Sequence, residues 1–357
     1  HRYADVVKVN RDNLTFSSAR GGALIHELDP AALEQQRLMM LNMDPPMHTR
    51  YRKLVNRGFT PRMLGALEER VRRQARDIVE GVAEKGGCDF VTEVAAELPL
   101  QVIAEIMGVP SEDRHKVFDW SNRMIGAEDP EYQAKEREAA FAASMELYAY
   151  ANGLAAERRA NPGDDIISVL LRSEVDGERL SELEFDLFFL LLAVAGNETT
   201  RNLISSAMLA LIEHPDQRRL LLDDPSLIPG AVEEMLRWGT PVMHFRRTAT
   251  VDTEVGGQPV AEGDKVVIWY MSANRDEAVF DEPHRFDVRR TPNDHVAFGG
   301  GGPHFCLGAN LARMEIRLMF EELLPRLPDV ELAGDVQRLR SNFINGIKHM
   351  PVAYSPS

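Results

Sequence analysis

Cys306 is one of only two cysteines in the chain. It stands in the run Ala297-Phe298-Gly299-Gly300-Gly301-Gly302-Pro303-His304-Phe305-Cys306-Leu307-Gly308. Four glycines ahead of a proline continue neither helix nor strand. The segment is therefore expected to be a loop shaped for close backbone approach to something flat or bulky. Beyond it, Leu307, Leu311, Met314 and Leu318 recur at helical spacing with charges between them. The thiol thus lies just ahead of a helix N-terminus, where partial positive charge lowers a thiol pKa and favours thiolate. A thiolate in an open glycine loop suits the axial position of a haem iron. By itself the loop also fits an inert buried thiol, the commoner fate of a lone cysteine.

A second chemical signal lies in segment 181–213. Phe185 and Leu187 to Val194 are apolar on every side, which predicts a helix running through the interior. Its middle turns polar at Ala195-Gly196-Asn197-Glu198-Thr199-Thr200. An acid and two hydroxyls inside a buried helix are costly without partners. Glycine weakens the helix there and threonine hydroxyls compete for its carbonyls, so a kink or widened turn is expected. The segment fits a packing kink satisfied by water, or a gap beside a reactive centre where Glu198 and Thr199 carry protons. Two further groups matter. Glu234 and Arg237 sit at i, i+3 after Pro229, close enough to pair. His48, Arg52, Arg247 and His304 are basic groups that together could clamp two carboxylates.

The elements that must position these residues read as mainly helical. Apolar periodicity predicts helices near 62–85, 92–107, 134–160, 166–172, 181–213, 228–238 and 308–327. Strand signals cluster at 243–271, where 253–255, a Gly256-Gly257 turn, 258–260 and 265–271 read as one antiparallel meander. A further hairpin is expected at 341–354 around Asn345-Gly346. No repeat or linker divides the chain, so residues 1–357 are read as one domain with a minor sheet.

The bulk composition narrows the function. Hydrophobic residues make up 44% and charged residues 27%, the balance of a soluble globular protein. The net charge of −15 argues against nucleic acid or an anionic membrane as partner. Two distant cysteines exclude a disulfide scaffold and a zinc cage, and they fit a reducing cytoplasm. The longest apolar run, Leu187 to Ala195, is 9 residues; a membrane span needs about 20. His1 is an unusual first residue, and a native N-terminal segment is expected to be missing.

Taken jointly, these residues resemble the cytochrome P-450 superfamily of haem-thiolate monooxygenases. The family's haem loop matches Phe298, Gly299, Gly302, His304, Cys306 and Gly308, its oxygen-activating helix matches Ala195 to Thr200, and its E-x-x-R pair matches Glu234 and Arg237. Asp44 to Arg52 fits the early D-P-P-x-H-x-x-x-R segment, and Ala273 to Asp276 with Phe280 and Phe286 fits the stretch before the haem loop. The motifs run in the family's order along nearly the whole chain. The loop departs from the commonest spacing by one extra glycine. With V-A-G-N-E-T-T-R-N and N-G-I-K-H it resembles an actinobacterial branch acting on sterol side chains and branched lipids. The family's usual first helix and strands have no counterpart before Arg2.

The resemblance implies the P-450 fold and haem b as cofactor, with Cys306 as iron ligand. Phe298 would shield the thiolate, while His48, Arg52, Arg247 and His304 hold the propionates. Ala195 and Gly196 would leave room for dioxygen, and Thr199 with Glu198 would relay protons. Glu234 and Arg237 would belong to the scaffold. No flavin or nicotinamide fingerprint is present, so electrons would come from a separate ferredoxin with its reductase, docking near Arg313 and Arg317. A peroxide-driven haem-thiolate enzyme and a haem-based sensor are the rival readings; neither needs the Glu198–Thr199 pair. The substrate expected is large and apolar, lined by Met39, Met40, Met43 and Met124 in loops near 20–42 and 120–135.

Overall fold

The long helix Glu182–Glu213 is the axis of the molecule. Ser181 and Glu184 form a reciprocal capping box at its start. Its apolar surface is covered on several sides, by helices Glu97–Met107, Arg137–Ala160 and Ile228–Gly239. That enclosure explains why the sequence shows no polar face. The helix runs as uninterrupted α-helix through Gly196, so the expected widened turn is not present. The Thr199 hydroxyl does bond back one turn, donating to the Ala195 carbonyl at 2.9 Å. The computed structural model describes residues 1–357 apart from 57–58, 60, 126–128, 130–136, 164 and 175–178.

The helices expected from periodicity appear close to their expected bounds. They include Pro61–Ala83, Ile166–Arg172 and Ala309–Arg326, the last packed along Pro61–Ala83. The first residues of the expected 134–160 helix, 134–136, lie outside the described residues. Among the described residues six α-helices escaped that reading: Tyr3–Arg11, Pro30–Gln36, Met47–Asn56, Arg114–Ile125, Pro215–Asp223 and the one-turn Tyr270–Ala273, where a strand was expected. They are short, with narrow apolar stripes. Two nonetheless carry a local start signal, Asp29-Pro30 and His214-Pro215, with proline in the first turn.

Among the described residues the strands form four small antiparallel sheets, with two corrections to the expected pairing. The Gly256-Gly257 turn joins Thr253–Val255 to Gln258–Val260 as predicted, both glycines at positive φ. Lys265–Trp269, however, does not continue a meander. It pairs with His244–Ala249, which also takes Phe16–Ser17. Nor is there a hairpin over 341–354. Ile347–His349 pairs with Gln337–Arg338, and Pro351–Ala353 pairs with Gly87–Asp89 and Glu331–Leu332. Asn345 is occupied elsewhere, its side chain donating to the Gly239 carbonyl at 2.6 Å. Tertiary bonds outweighed the local turn preference.

Candidate active site

The long helix and the Cys306 loop face each other across a cavity. Ala195, Gly196, Thr199 and Thr200 line one side; Phe298, Gly299, His304 to Gly308 and the start of helix Ala309–Arg326 line the other. Ala195 is exposed although it lies in mid-helix, because it faces this space. The space a side chain would take at Gly196 is filled by Ile103, whose Cδ1 lies 2.7 Å from an ideal Cβ. Gly196 therefore admits helix Glu97–Met107 against the long helix, in addition to bordering the cavity.

The glycine run serves a neighbour that the sequence did not reveal. A Cβ on Gly300 would lie 2.9 Å from Val7 Cα, one on Gly301 2.9 Å from Arg11 Nε, and one on Gly302 2.3 Å from the Asn10 carbonyl oxygen. Gly301 and Gly302 also have φ of +90° and +79°, which L side chains rarely adopt. The bulky thing that these glycines approach is helix Tyr3–Arg11; Arg11 Nε donates to the Gly300 carbonyl at 3.1 Å. Gly308 has nothing within 4 Å of its missing Cβ and lines the cavity. It is the glycine that leaves a flat group room.

Cys306 is pinned by its backbone N–H, which donates to the Phe298 carbonyl at 3.0 Å. Its side chain is exposed to the cavity. The expectation of a lowered thiol pKa is overturned. Burial raises it, and the Gly308 N–H with Arg52 and Arg313 oppose without winning. A thiol lining this cavity loses its proton when a metal takes the proton's place.

The basic residues converge as expected. The His48 and His304 rings lie 4.2 Å apart, and Arg52 and His304 both line the cavity. Burial, with the charge of Arg52, lowers the His48 pKa to about 4; burial with Arg247 holds His304 well below its usual value. Both imidazoles are thus neutral near pH 7. Burial also lowers Arg247, which is 3% exposed. Neither Arg52 nor Arg247 has an ion-pair partner among the described residues. Two buried or half-buried guanidiniums without carboxylates, beside a cavity with one accessible thiol, fit an anionic, flat group ligated through sulfur.

Glu198 does not line the cavity. Its carboxylate binds Arg201, itself held by the Asn122 side chain at 2.9 Å, and burial raises its pKa against the pull of Arg201. Glu234 and Arg237 form a wholly buried bidentate pair, each bond 2.8 Å. Arg237 also donates to the carbonyls of Asn274, Pro283 and Arg285, which ties the scaffold together. Arg313 and Arg317 are bonded to Glu233 and to Glu68, so their charges are paired. Of the four methionines, Met40 alone lines the cavity. Part of the expected lining loop, 126–128 and 130–135, lies outside the described residues. Sequence reasoning missed Glu315, a cavity-lining acid 2% exposed whose pKa burial raises well above the usual range. Its signal was present: an acid on the otherwise apolar stripe Leu311, Leu318.

A thiol-ended loop and an alcohol-bearing helix across an apolar cavity, with cationic groups at one edge, define a haem-thiolate oxygenase. The sequence profile of the cytochrome P-450 family matches residues 221–342. The steroid C26-monooxygenase of Rhodococcus jostii is 49% identical over 353 residues, 98% of this chain and 74% of that protein. The methyl-branched lipid omega-hydroxylase of Mycobacterium tuberculosis H37Rv is 46% identical over 358 residues, covering 99% and 83%. A Mycobacterium marinum cytochrome P-450 solved with pseudoionone superimposes with a TM-score of 0.94 at 46% identity, covering 99% and 86%. The chain belongs to the cytochrome P-450 family and has its fold. It is a P-450 monooxygenase whose cofactor is haem, iron protoporphyrin IX. No helix among the described residues is long and apolar enough to cross a membrane.

Proposed function

We propose that this P-450 hydroxylates an unactivated carbon near the end of a sterol side chain or methyl-branched lipid, using O2 and electrons from a ferredoxin served by its reductase. The observation that carries the reading is the apolar lining of the cavity, which includes Ile103, Phe188, Leu191, Leu192, Leu236 and Phe245. The only charged side chains lining the cavity among the described residues are Arg52, on the cation cluster, and Glu315. A wall of this kind rewards burial of branched hydrocarbon and offers no fixed charge to a polar substrate. The relatives named for a steroid C26-monooxygenase and a methyl-branched lipid omega-hydroxylase support the same class.

Haem bound through Cys306 supplies the activation of dioxygen and the insertion of one oxygen atom into a C–H bond. The chain's own residues hold and protect that chemistry. Cys306 would ligate the iron, and Phe298 would shield the thiolate. Arg52, Arg247, His48 and His304 would hold the propionates. Ala195 and Gly196 border the space above. Thr199 presents its hydroxyl there, and its bond to Ala195 fixes the oxygen's orientation. Glu198 delivers protons toward Thr199 after leaving Arg201.

The test is a titration of the ferric haem protein with cholest-4-en-3-one, a methyl-branched fatty acid and pseudoionone. A low-to-high-spin shift with these, and product oxygenated near the chain end with ferredoxin, reductase and NADH, is expected. A shift confined to small polar aromatics overturns the substrate reading. Turnover that needs only hydrogen peroxide overturns the ferredoxin reading.

A further inference from the structure

Behind the Cys306 loop lies a closed set of contacts that the reaction scheme leaves unused. The Arg313 guanidinium lies 4.6 Å from the centre of the Phe298 ring. The same group binds Glu233 through Nε at 2.7 Å and Nη2 at 2.9 Å. Glu233 also pairs with His295 Nε2 at 3.0 Å. The Ala297 N–H donates to His295 Nδ1 at 3.2 Å, which leaves the proton on Nε2, and the His295 ring stands 5.9 Å from that of Phe298. The circuit closes at the ligand, since the Phe298 carbonyl takes the Cys306 N–H. Burial alone would raise the Glu233 carboxyl, but the bonds from His295 and Arg313 outweigh it and hold it at about 2.

We infer that Arg313, held over Phe298 by Glu233 and His295, is a positioning residue that tunes the reduction potential of the iron bound to Cys306. The inference rests on the haem-thiolate reading. A guanidinium above a ring fixes the ring by cation–π attraction, and Phe298 shares a backbone bond with the ligand residue. The charges act as well. Positive charge near the iron favours the added electron and negative charge opposes it. Arg313 is one-third exposed on an outer groove shared with Glu68, Asn310 and Arg317. It therefore links the protein's surface to the sulfur without touching the iron.

The test is the midpoint potential of the haem-loaded protein, read beside the absorption of its reduced carbon monoxide complex. Arg313→Gln strips the cation and leaves Glu233 unbalanced. The ferrous form should be disfavoured about tenfold or more, which is about 59 mV for one electron. Glu233→Gln does the reverse, and the potential should rise. Arg313→Lys keeps charge but loses the planar fork and should fall between wild type and Arg313→Gln. A purely structural role cannot produce shifts of opposite sign in the two members of one ion pair. Unchanged potentials in both variants, or shifts of the same sign, overturn the inference. If Arg313→Gln fails to load haem, Arg313→Lys and Glu233→Gln decide it. A carbon monoxide band lacking the strong red shift of thiolate ligation in the wild type would instead sink the underlying reading of Cys306.

Discussion

On the Cys306 side of the cavity the loop backbone is clamped by neighbouring segments, although Glu315 Oε2 is buried there without a hydrogen-bond partner among the described residues. Cys306 bonds Phe298, Arg11 bonds Gly300, and the His304 Nε2 meets the Met43 carbonyl at 3.0 Å and Ser18 at 3.2 Å. On the long-helix side such unpartnered atoms gather. Both polar atoms of the Asn197 side chain, Glu198 Oε1 and Arg201 Nε are buried without a hydrogen-bond partner among the described residues. Each such orphan costs about 1–3 kcal/mol if it stays dry, so ordered water is the expected occupant. One wall is made to hold a ligand still. The other carries buried polar atoms that ordered water would satisfy, close in sequence to the hydroxyl of Thr199 that lines the cavity.

The largest effect that breaks this contrast is loss of the ligand. Cys306→Ser should abolish the red-shifted carbon monoxide band. Hydroxylation should fall by more than the roughly 10–100-fold typical of changes beyond the ligand shell. Cys88→Ser should change neither, because Cys88 lies in the strand Gly87–Asp89, outside the cavity lining. A Cys306→Ser protein with the original band would place the iron elsewhere.

Next in size is the long-helix wall. Thr199→Ala removes the hydroxyl that faces the cavity while leaving Ile103 packed on Gly196. Haem loading and substrate affinity should stay within about twofold. Product per NADH should fall tenfold or more, towards the roughly 10²–10⁴-fold typical of lost proton-transfer groups, with the missing electrons recovered as hydrogen peroxide. Glu198→Gln should slow turnover similarly. Full coupling in Thr199→Ala would make the acid and alcohol structural, and the two walls would differ only in packing.

These two predictions concern residues that the sequence itself makes legible. Cys306, Thr199, Glu234 and Arg237 sit in short patterns whose chemistry shows in the residue types themselves. The long helix was equally readable, since apolar residues on every side leave it only the interior. What escaped was whatever depended on a distant segment. The four glycines announced a close approach, yet nothing local could say that helix Tyr3–Arg11 was the approaching body. Asn345-Gly346 had strong turn chemistry, but bonds to Gly239 and Pro241 spent it elsewhere. The thiol pKa went the wrong way for the same reason: a helix N-terminus is visible in sequence, whereas burial is a property of the assembled fold.

The clamp on the Cys306 wall supplies a smaller, sharper test. Gly302→Ala forces a Cβ to 2.3 Å from the Asn10 carbonyl at a φ of +79°. The backbone must give, and overpacking of this kind costs about 1–3 kcal/mol. A fall in melting temperature with partial loss of haem is expected. Gly257→Ala is the control, because that glycine also has positive φ, +82°, but meets nothing within 4 Å. It should lower stability less and leave haem content unchanged. Equal haem loss in both would dissolve the special standing of the glycine loop.

The smallest expected effect lies in pH. His48 titrates near 4 in the folded protein against 6.5 for an unperturbed imidazole, through burial first and Arg52 and Arg247 next, with Asp44 pulling the other way. Between those values the unfolded chain binds the proton and the folded chain does not, so stability rises with pH across the window and drains away as pH falls from 6.5 toward 4. His304, also depressed, drains in the same direction. Anionic propionates beside these rings would favour the charged imidazole and move the folded pKa back up, which shrinks the loss. Thermal melts of haem-free and haem-loaded protein from neutral pH down to 4 should therefore diverge, the haem-free protein losing stability more steeply. His48→Gln should flatten the haem-free curve by its own share. Parallel curves for the two forms would mean that His48 does not face the propionates, and that the cation cluster serves the scaffold.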